Sequence, residues 1–273
     1  MSTDSQLTIA MLGAGGRMGA AIVRVLAETA GARLSAATDR PGSPRLGQDA
    51  GIIAGVAAAG VTIAETLPPA GAASVWIDFS SPEGTAAIAA AAAERGAALM
   101  VGTTGVTDVG KRALAEAGRH VPVVFAPNTS VGVTALLGLV ANAARLLGPG
   151  YDMEIVETHH RHKRDAPSGT ALRLGQALAE ATGRTLERDG RFTRHGDVGP
   201  RTSAEIGIQT LRGGDVVGDH TVFFLGDGER IEITHRASSR DTFARGAVRA
   251  ALWLRGRAPG LYDMRDVLGL TTS

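Results

Sequence analysis

The chain has 273 residues, 37 of them Gly, with 44% hydrophobic and 20% charged residues; this excludes a disordered chain and, since Gly follows no triplet period, a collagen. It contains no Cys, which removes disulfide frameworks, thiolate zinc sites, iron–sulfur clusters and Cys nucleophiles. The 28 basic and 27 acidic residues nearly cancel and no run of five like charges occurs, so no nucleic-acid partner is expected.

The first apolar stretch, residues 7–13, contains Thr8 and follows Asp4, and reads as neither a signal peptide nor a membrane span. A soluble cytoplasmic protein with no membrane partner is the expectation. From there to about residue 130, short apolar runs alternate with Ala-rich amphipathic segments, the spacing of βαβ units on a parallel sheet. Strands are expected at 7–12, 33–38, 75–79, 97–101 and 121–125. Ser80-Ser81-Pro82-Glu83 predicts a helix start with a Ser cap and Pro in the first turn, leading into an Ala-dominated helix over 85–95 that stops at Gly96.

A long apolar segment from Val131 to Leu147 ends at Gly148-Pro149-Gly150 and predicts the opening helix of a second unit. A strand at 151–158, a helix at 169–182 and strands near 204–211, 216–225 and 230–236 follow. Gly213-Gly214-Asp215 and Gly226-Asp227-Gly228-Glu229 both read as hairpin turns. A last helix is expected at 241–255.

Gly13-Ala14-Gly15-Gly16-Arg17-Met18-Gly19 closes the first strand and opens a helix, the context of a dinucleotide-binding turn. Glycines let the backbone turn sharply and approach a pyrophosphate, whose charge meets N–H groups at the helix start. The pattern departs from strict G-x-G-x-x-G, since Met18 holds the third glycine position and Gly19 follows it. Asp39 and Arg40 end the second strand about 20 residues on, where a ribose reader is expected. Asp39 suits the 2′-OH of NAD and Arg40 the 2′-phosphate of NADP; the alternative is a solvated pair opening a loop. Gly102-Thr103-Thr104-Gly105 follows the fourth strand at the carboxyl edge of the sheet, where ligands of doubly wound folds bind, or is an ordinary turn. The expected fold class is α/β: a Rossmann-type parallel-sheet dinucleotide-binding domain over 1–130, to which 240–273 returns. An α+β substrate and tetramerisation domain with an open mixed sheet covers 131–239.

Residues 157–170 carry the chemistry. Three of the seven His, His159, His160 and His162, fall within four positions between a strand end and a helix start. Ser168 reads as the cap of that helix, with the N–H groups of Gly169 and Thr170 presented to a carboxylate, so a small acidic substrate is implied. Lys163 and Lys111 are the only Lys among the 28 basic residues. Arg does not give up its proton near neutral pH whereas Lys serves as a general acid, so Lys163 reads as chosen for its chemistry; Lys111, in a plain helix, is the counterexample. His160, His162 and Asp165 form the competing metal-site reading, opposed by the charges of Arg161, Lys163 and Arg164, and no metal is expected. A third reading is a nucleotide sensor without catalysis.

These motifs resemble the dihydrodipicolinate reductase family, which acts on 4-hydroxy-tetrahydrodipicolinate. The resemblance rests on residues 13–19, on Gly102-Thr103-Thr104-Gly105, on Ala126-Pro127-Asn128-Thr129-Ser130-Val131-Gly132-Val133 and above all on residues 159–172. It continues through Arg212-Gly213-Gly214, residues 218–222 and Ser239-Arg240, and so spans nearly the whole chain. It implies a two-domain homotetrameric oxidoreductase of the diaminopimelate and lysine pathway that uses NADH or NADPH on a cyclic dicarboxylate. By that resemblance Gly13, Ala14, Gly15, Gly16, Arg17, Met18, Asp39, Arg40, Gly102, Thr103, Thr104, Ala126, Pro127, Asn128 and Thr129 bind the nucleotide. His159 and Lys163 match the family's proton donors; His160, Ser168, Gly169 and Thr170 match its substrate contacts. The resemblance also implies hydride transfer to C4 of the substrate ring, followed by a proton; because the cofactor and the donor loop fall on different domains, closure about a hinge near 128–132 and 236–241 is expected. This chain departs from the family pattern at Thr129, where Phe is common, and at Pro127, where Ala is. Semialdehyde dehydrogenases of similar build are excluded by the missing Cys.

Overall fold

β1 (Leu7–Leu12) lies inside a parallel sheet with both faces covered, which is why its residues are apolar almost throughout rather than alternating. The computed structural model describes residues 6–239 and 241–270. After β1 come α1 (Arg17–Ala27), β2 (Ala32–Thr38), α2 (Ala50–Ala54), β3 (Ile63–Ala64), β4 (Val75–Asp78), α3 (Thr85–Glu94), β5 (Ala98–Val101), α4 (Asp108–Ala117) and β6 (Pro122–Phe125). Then follow α5 (Val131–Leu147), closed by the 3-10 turn Gly148–Gly150, β7 (Asp152–His159), α6 (Gly169–Ala181), α7 (Leu186–Asp189) and β8 (Gly190–Arg191). β9 (Ile206–Arg212), β10 (Gly218–Gly226), β11 (Glu229–Ala237), α8 (Asp241–Trp253), β12 (Gly260–Tyr262) and α9 (Met264–Leu268) complete the order. Two compact units result: one runs to Val131 and resumes at Asp241, and the other begins at Gly132.

In the first unit the strands pair in parallel in the order β12-β6-β5-β4-β1-β2-β3. Progression reverses between β1 and β4, the switch point at which doubly wound sheets open a crevice. Period-2 alternation then builds two cores. Ile9, Met11, Ile77 and Met100 pack with Ile22 and Leu26 of α1 and Ala247, Val248 and Ala251 of α8. Ala10, Leu12, Trp76 and Leu99 pack on the other face with Ile88 and Ala92 of α3 and Leu114 and Ala117 of α4. Each fully buried Ile, Leu or Met contributes about 1.5–3 kcal/mol. The small side chains of α8 let it come close: a Cβ on Gly246 would lie 1.7 Å from the Thr129 carbonyl oxygen.

The helix start expected at Ser80–Glu83 is corrected. Residues 82–84 form a turn and α3 begins only at Thr85, with no side-chain cap at Gly84. Ser81 serves that turn instead, its hydroxyl accepting from the Gly84 N–H at 3.3 Å.

In the second unit the sheet is mixed, with order β11-β10-β7-β9-β8. The hairpin expected at 226–229 forms, joining antiparallel β10 and β11. The one expected at Gly213-Gly214-Asp215 does not, because β7 lies between β9 and β10, pairing parallel with β9 and antiparallel with β10. The 213–216 backbone instead crosses the end of β7. Gly213 N–H donates to His159 O, while His160 and Arg161 N–H donate to Val216 O and Gly214 O. Inward residues Met153, Ile155, Ile208, Val222 and Phe224 form the core with Leu174 and Leu178 of α6 and Leu136, Val140 and Ala144 of α5. α5 with its 3-10 extension is long and apolar enough to cross a membrane, with a mean hydropathy of 1.6, and here one of its stripes lies in this core. Arg240, one of the residues carrying the resemblance, lies outside the described residues.

Candidate active site

The glycine turn sits at the switch point. Gly13 takes φ +84°, and a Cβ there would lie 2.6 Å from Phe79 O beyond β4. A Cβ on Gly19 would lie 2.2 Å from Gly13 O, so Gly19 supplies the close helix-to-turn approach that Met18, in the third motif position, does not. Gly16 caps α1 without a side-chain hydrogen bond, and no acidic residue lies in the first turn. That uncapped N-terminus fits a pyrophosphate. Ala14 is buried beneath the turn, its N–H donating to Thr38 O.

Asp39 lies beside the turn, where a Cβ on Gly15 would meet its Oδ2 at 2.2 Å. Its carboxylate accepts from the Arg40 N–H at 2.9 Å and from Ser43 Oγ at 2.7 Å, which orders the loop. Arg40 is exposed. Arg45, which the sequence reading missed, lays its stem against Gly15 beside Asp39, with Cγ 2.9 Å from a Cβ placed there.

A cleft of about 540 Å³ opens at the carboxyl edge of the sheet, lined by Gly16, Arg17, Met18, Gly102, Thr103, Thr104, Pro127, Asn128 and Thr129. Ala126 is buried, with its N–H on Val101 O. The cleft also takes in Phe79, Ser80, Pro82 and Phe243. The first three follow β4, and the rule that ligands bind at carboxyl strand ends, applied in the sequence only to Gly102–Gly105, covers them too; Phe243, from the start of α8, had no local signal. Thr129, in place of the family's common Phe, turns its hydroxyl to donate to Phe243 O at 2.6 Å. Asp78, fully buried, accepts from Ser80 N–H and Oγ and from Thr103 Oγ1, so it ties two walls of the cleft together. Burial raises its pKa, with the Ser80 and Thr103 bonds opposing.

On the second unit, β7 ends in the histidine loop. Glu157 and His159 are two apart on β7, so both point inward. Glu157 is fully buried and accepts from both terminal nitrogens of Arg212 at 2.8 and 2.9 Å, from Ser168 N–H at 2.9 Å and from Thr210 Oγ1 at 3.2 Å. Its Oε2 lies 2.5 Å from His159 Nδ1. Burial alone would raise its pKa, but the bonds from Arg212, His159 and Ser168 hold it down to about 2. Arg212 also donates to Asp165 O at 2.8 Å, anchoring the loop. Lys163 pairs with Asp165 at 2.9 Å.

Ser168 caps α6 as expected, its hydroxyl accepting from Ala171 N–H at 3.2 Å. That hydroxyl also meets His220 Nε2 at 3.1 Å, and with Ser168 N–H on Glu157 its polar groups are committed to the protein, so it shapes the helix start. Gly169, exposed, and Thr170 form the first positions of α6. His220 stands edge-on to His159, ring centroids 5.1 Å apart, and burial pushes its pKa down to about 4. The sequence reading placed Glu157 in the chemical stretch and Arg212 and His220 among the motifs, but gave none of the three a role in this site. His160 and His162 rings are 6.3 Å apart, and among the described residues no three His, Asp or Glu gather to hold a metal.

Family models bear on the whole arrangement. That described as dihydrodipicolinate reductase, N-terminus, matches residues 7–129, and that described as dihydrodipicolinate reductase, C-terminus, matches residues 132–268. The chain belongs to the dihydrodipicolinate reductase family. The resemblance seen in the motifs is borne out, and the chain is an oxidoreductase of this family. It is 57% identical to a 4-hydroxy-tetrahydrodipicolinate reductase of Anaeromyxobacter dehalogenans strain 2CP-1, over 96% of this chain and 97% of that one. It is 55% identical to the protein of the same name from Myxococcus xanthus strain DK1622, over 93% and 94%. Among solved structures, a dipicolinate-bound dihydrodipicolinate reductase from Paenisporosarcina sp. TG-14 shares the fold, with TM-score 0.74 at 22% identity over 94% of this chain and 97% of that one.

Proposed function

We infer that this chain reduces 4-hydroxy-tetrahydrodipicolinate to tetrahydrodipicolinate with NADH or NADPH, a step toward diaminopimelate and lysine. The observation that carries the reading is the near-full-length identity of 57% to a reductase of that name. The glycine turn and uncapped α1 fit a nicotinamide dinucleotide, which when bound supplies the hydride. Gly13 to Met18 meet its pyrophosphate, Asp39 and Arg40 its ribose, and Gly102 to Thr104 with Ala126 to Thr129 line its nicotinamide end.

Residues 1–130 with 240–273 make the nucleotide domain in this reading, and 131–239 the substrate domain. Gly169 and Thr170 at the start of α6 hold a substrate carboxylate, with His160 beside them and Ser168 shaping the turn. His159 and Lys163 deliver the proton that quenches charge developing on the reduced ring. The dipicolinate bound to the Paenisporosarcina reductase, a planar cyclic dicarboxylate, supports this substrate class.

The assembly is a cytoplasmic homotetramer in this reading. Its support is the second sheet's face opposite α5 and α6, where Val156, Phe223 and Leu225 are only partly covered or exposed. Light scattering after gel filtration checks it, and a monomer would overturn it. For the reaction, NADPH mixed with enzymatically generated 4-hydroxy-tetrahydrodipicolinate should lose its nicotinamide absorbance on adding the protein. No loss with either cofactor would overturn the reading.

A further inference from the structure

The most heavily bonded side chain of the histidine site is a carboxylate that is not itself among the groups proposed to touch substrate. Glu157 is fully buried, and an ionised carboxylate in such a place persists only when its lone pairs are all met. Five donors meet them: two nitrogens of Arg212, Thr210 Oγ1, Ser168 N–H and His159 Nδ1. The two oxygens divide the work. Oε1 takes the Ser168 N–H at the mouth of α6, and Oε2 takes the His159 ring.

A carboxylate has only acceptor sites, so at a 2.5 Å contact the imidazole must be the donor. His159 Nδ1 therefore carries a proton whether the ring is neutral or charged, and Nε2 is the atom whose proton can leave. Nε2 faces Gly218 at the start of β10, where a Cβ would come within 2.9 Å of it. Glycine there keeps that edge of the ring from being covered by a side chain.

We propose that Glu157 is the positioning residue of the proton donor: it fixes the tautomer and aim of His159 and, through Ser168, the placement of that ring against the helix start that binds the substrate carboxylate. The proposal rests on the reading of His159 as donor. Around the ring stand Glu157 on its own strand, Arg212 from β9, which shares the same Glu157 oxygen, and His220 from β10; Lys163 of the loop is paired with Asp165. Arg212 is neutralised by Glu157, and His220, which meets the ring edge-on, bonds Ser168, so Glu157 is the charged group hydrogen-bonded to the ring. The arrangement has the logic of a carboxylate orienting a catalytic imidazole, reached here by an i, i+2 pair on one face of a strand.

Glu157→Gln keeps the size and can still accept from Ser168 and Arg212, but no longer forces a proton onto Nδ1. Expected is a fall in kcat of roughly 10²-fold with KM little changed. NADH binding, followed by fluorescence, should stay at the wild-type level. In a His159→Gln background the same change should cost nothing further, since there is no ring left to position. Wild-type kcat in Glu157→Gln, with His159→Gln strongly impaired, would overturn the positioning role alone. His159→Gln at the wild-type rate would overturn the donor reading and this role together. Should Glu157→Gln not fold, 15N NMR of the His159 ring in the wild-type protein decides the matter: Nδ1 protonated on both sides of the ring's titration supports the role, and an unprotonated Nδ1 overturns it.

Discussion

The Lys163 ammonium is held 2.9 Å from an oxygen of Asp165, two residues further along the same loop. The pair keeps the cation in place beside the histidines and holds the Asp165 carboxyl below its ordinary range. Lys163→Arg retains the charge and the partner but offers no proton near neutral pH. Single-turnover kinetics should show a loss of roughly 10²-fold in that variant. A wild-type rate would mean that Lys163 acts only as a positive charge.

The glycine motif contains residues of unequal weight. Gly19→Ala would drive a Cβ to 2.2 Å from Gly13 O, against backbone that cannot step aside, whereas at Gly16 the nearest atom is 3.3 Å away. Gly19→Ala should lower stability by about 1–3 kcal/mol and abolish NADH binding, while Gly16→Ala, which asks the Gly13 carbonyl to yield only a few tenths of an ångström, costs less. Thermal unfolding with a fluorescence titration checks both; equal behaviour of the two variants would contradict the packing argument.

In the proposed reading the ribose of the cofactor lies beside Asp39. Because its oxygens are engaged by Arg40 N–H and Ser43 Oγ, the guanidinium groups of Arg40 and Arg45 are the charges near this loop that suit a 2′-phosphate. Arg40→Ala and Arg45→Ala should each weaken NADPH binding by about 3- to 30-fold and leave NADH binding unchanged, with the difference shrinking in high salt. Equal loss for both cofactors would show that these residues only shape the loop.

Acid should destabilise the histidine unit in two stages. His220 has a folded pKa of about 4 against 6.5, so the unfolded chain takes the proton first and stability falls as pH drops from 6.5 to 4. Glu157 is held down to about 2 against 4.5, so its contribution is complete above 4.5 and is lost as pH falls toward 2. Each is worth on the order of 3 kcal/mol. Urea unfolding across this range should show the decline, and His220→Gln should flatten its upper part only.

Exhaustive chelation should leave the rate unchanged, since His160 and His162 gather no third ligand among the described residues. Activity restored only by an added divalent metal would revive the metal reading.

Much of this was legible in the residues. Five strands of the first sheet fall within a residue or two of their expected ends, because strands buried on both faces write themselves as unbroken apolar runs bounded by turns. Helix α5 matches its expectation from Val131 to Leu147, and Ser168 caps α6 as its position indicated. The misses are of another kind. Gly213-Gly214-Asp215 has the composition of a hairpin, yet β7 claims the place between β9 and β10, and turn residues carry no record of which strand will pair beyond them. The Ser80–Glu83 signal is a turn and not the helix start, while the Ala-rich helix expected over 85–95 is α3, Thr85–Glu94.

What the amino-acid order determined by itself is therefore the local geometry: sheet periodicity, the glycine turn, the capped helix start and a loop dense in His. These depend on residues within one or two turns of one another, whose backbone preferences and spacing are visible in the letters. Only the tertiary structure decided which groups complete the sites. Arg212 reaches Glu157 from 55 positions away, His220 reaches Ser168 from 52, and Phe243 meets Thr129 across 114. Such contacts are selected by burial, which forces a carboxylate or an imidazole with no access to water to find a partner wherever the fold brings one, and no local pattern announces where that is.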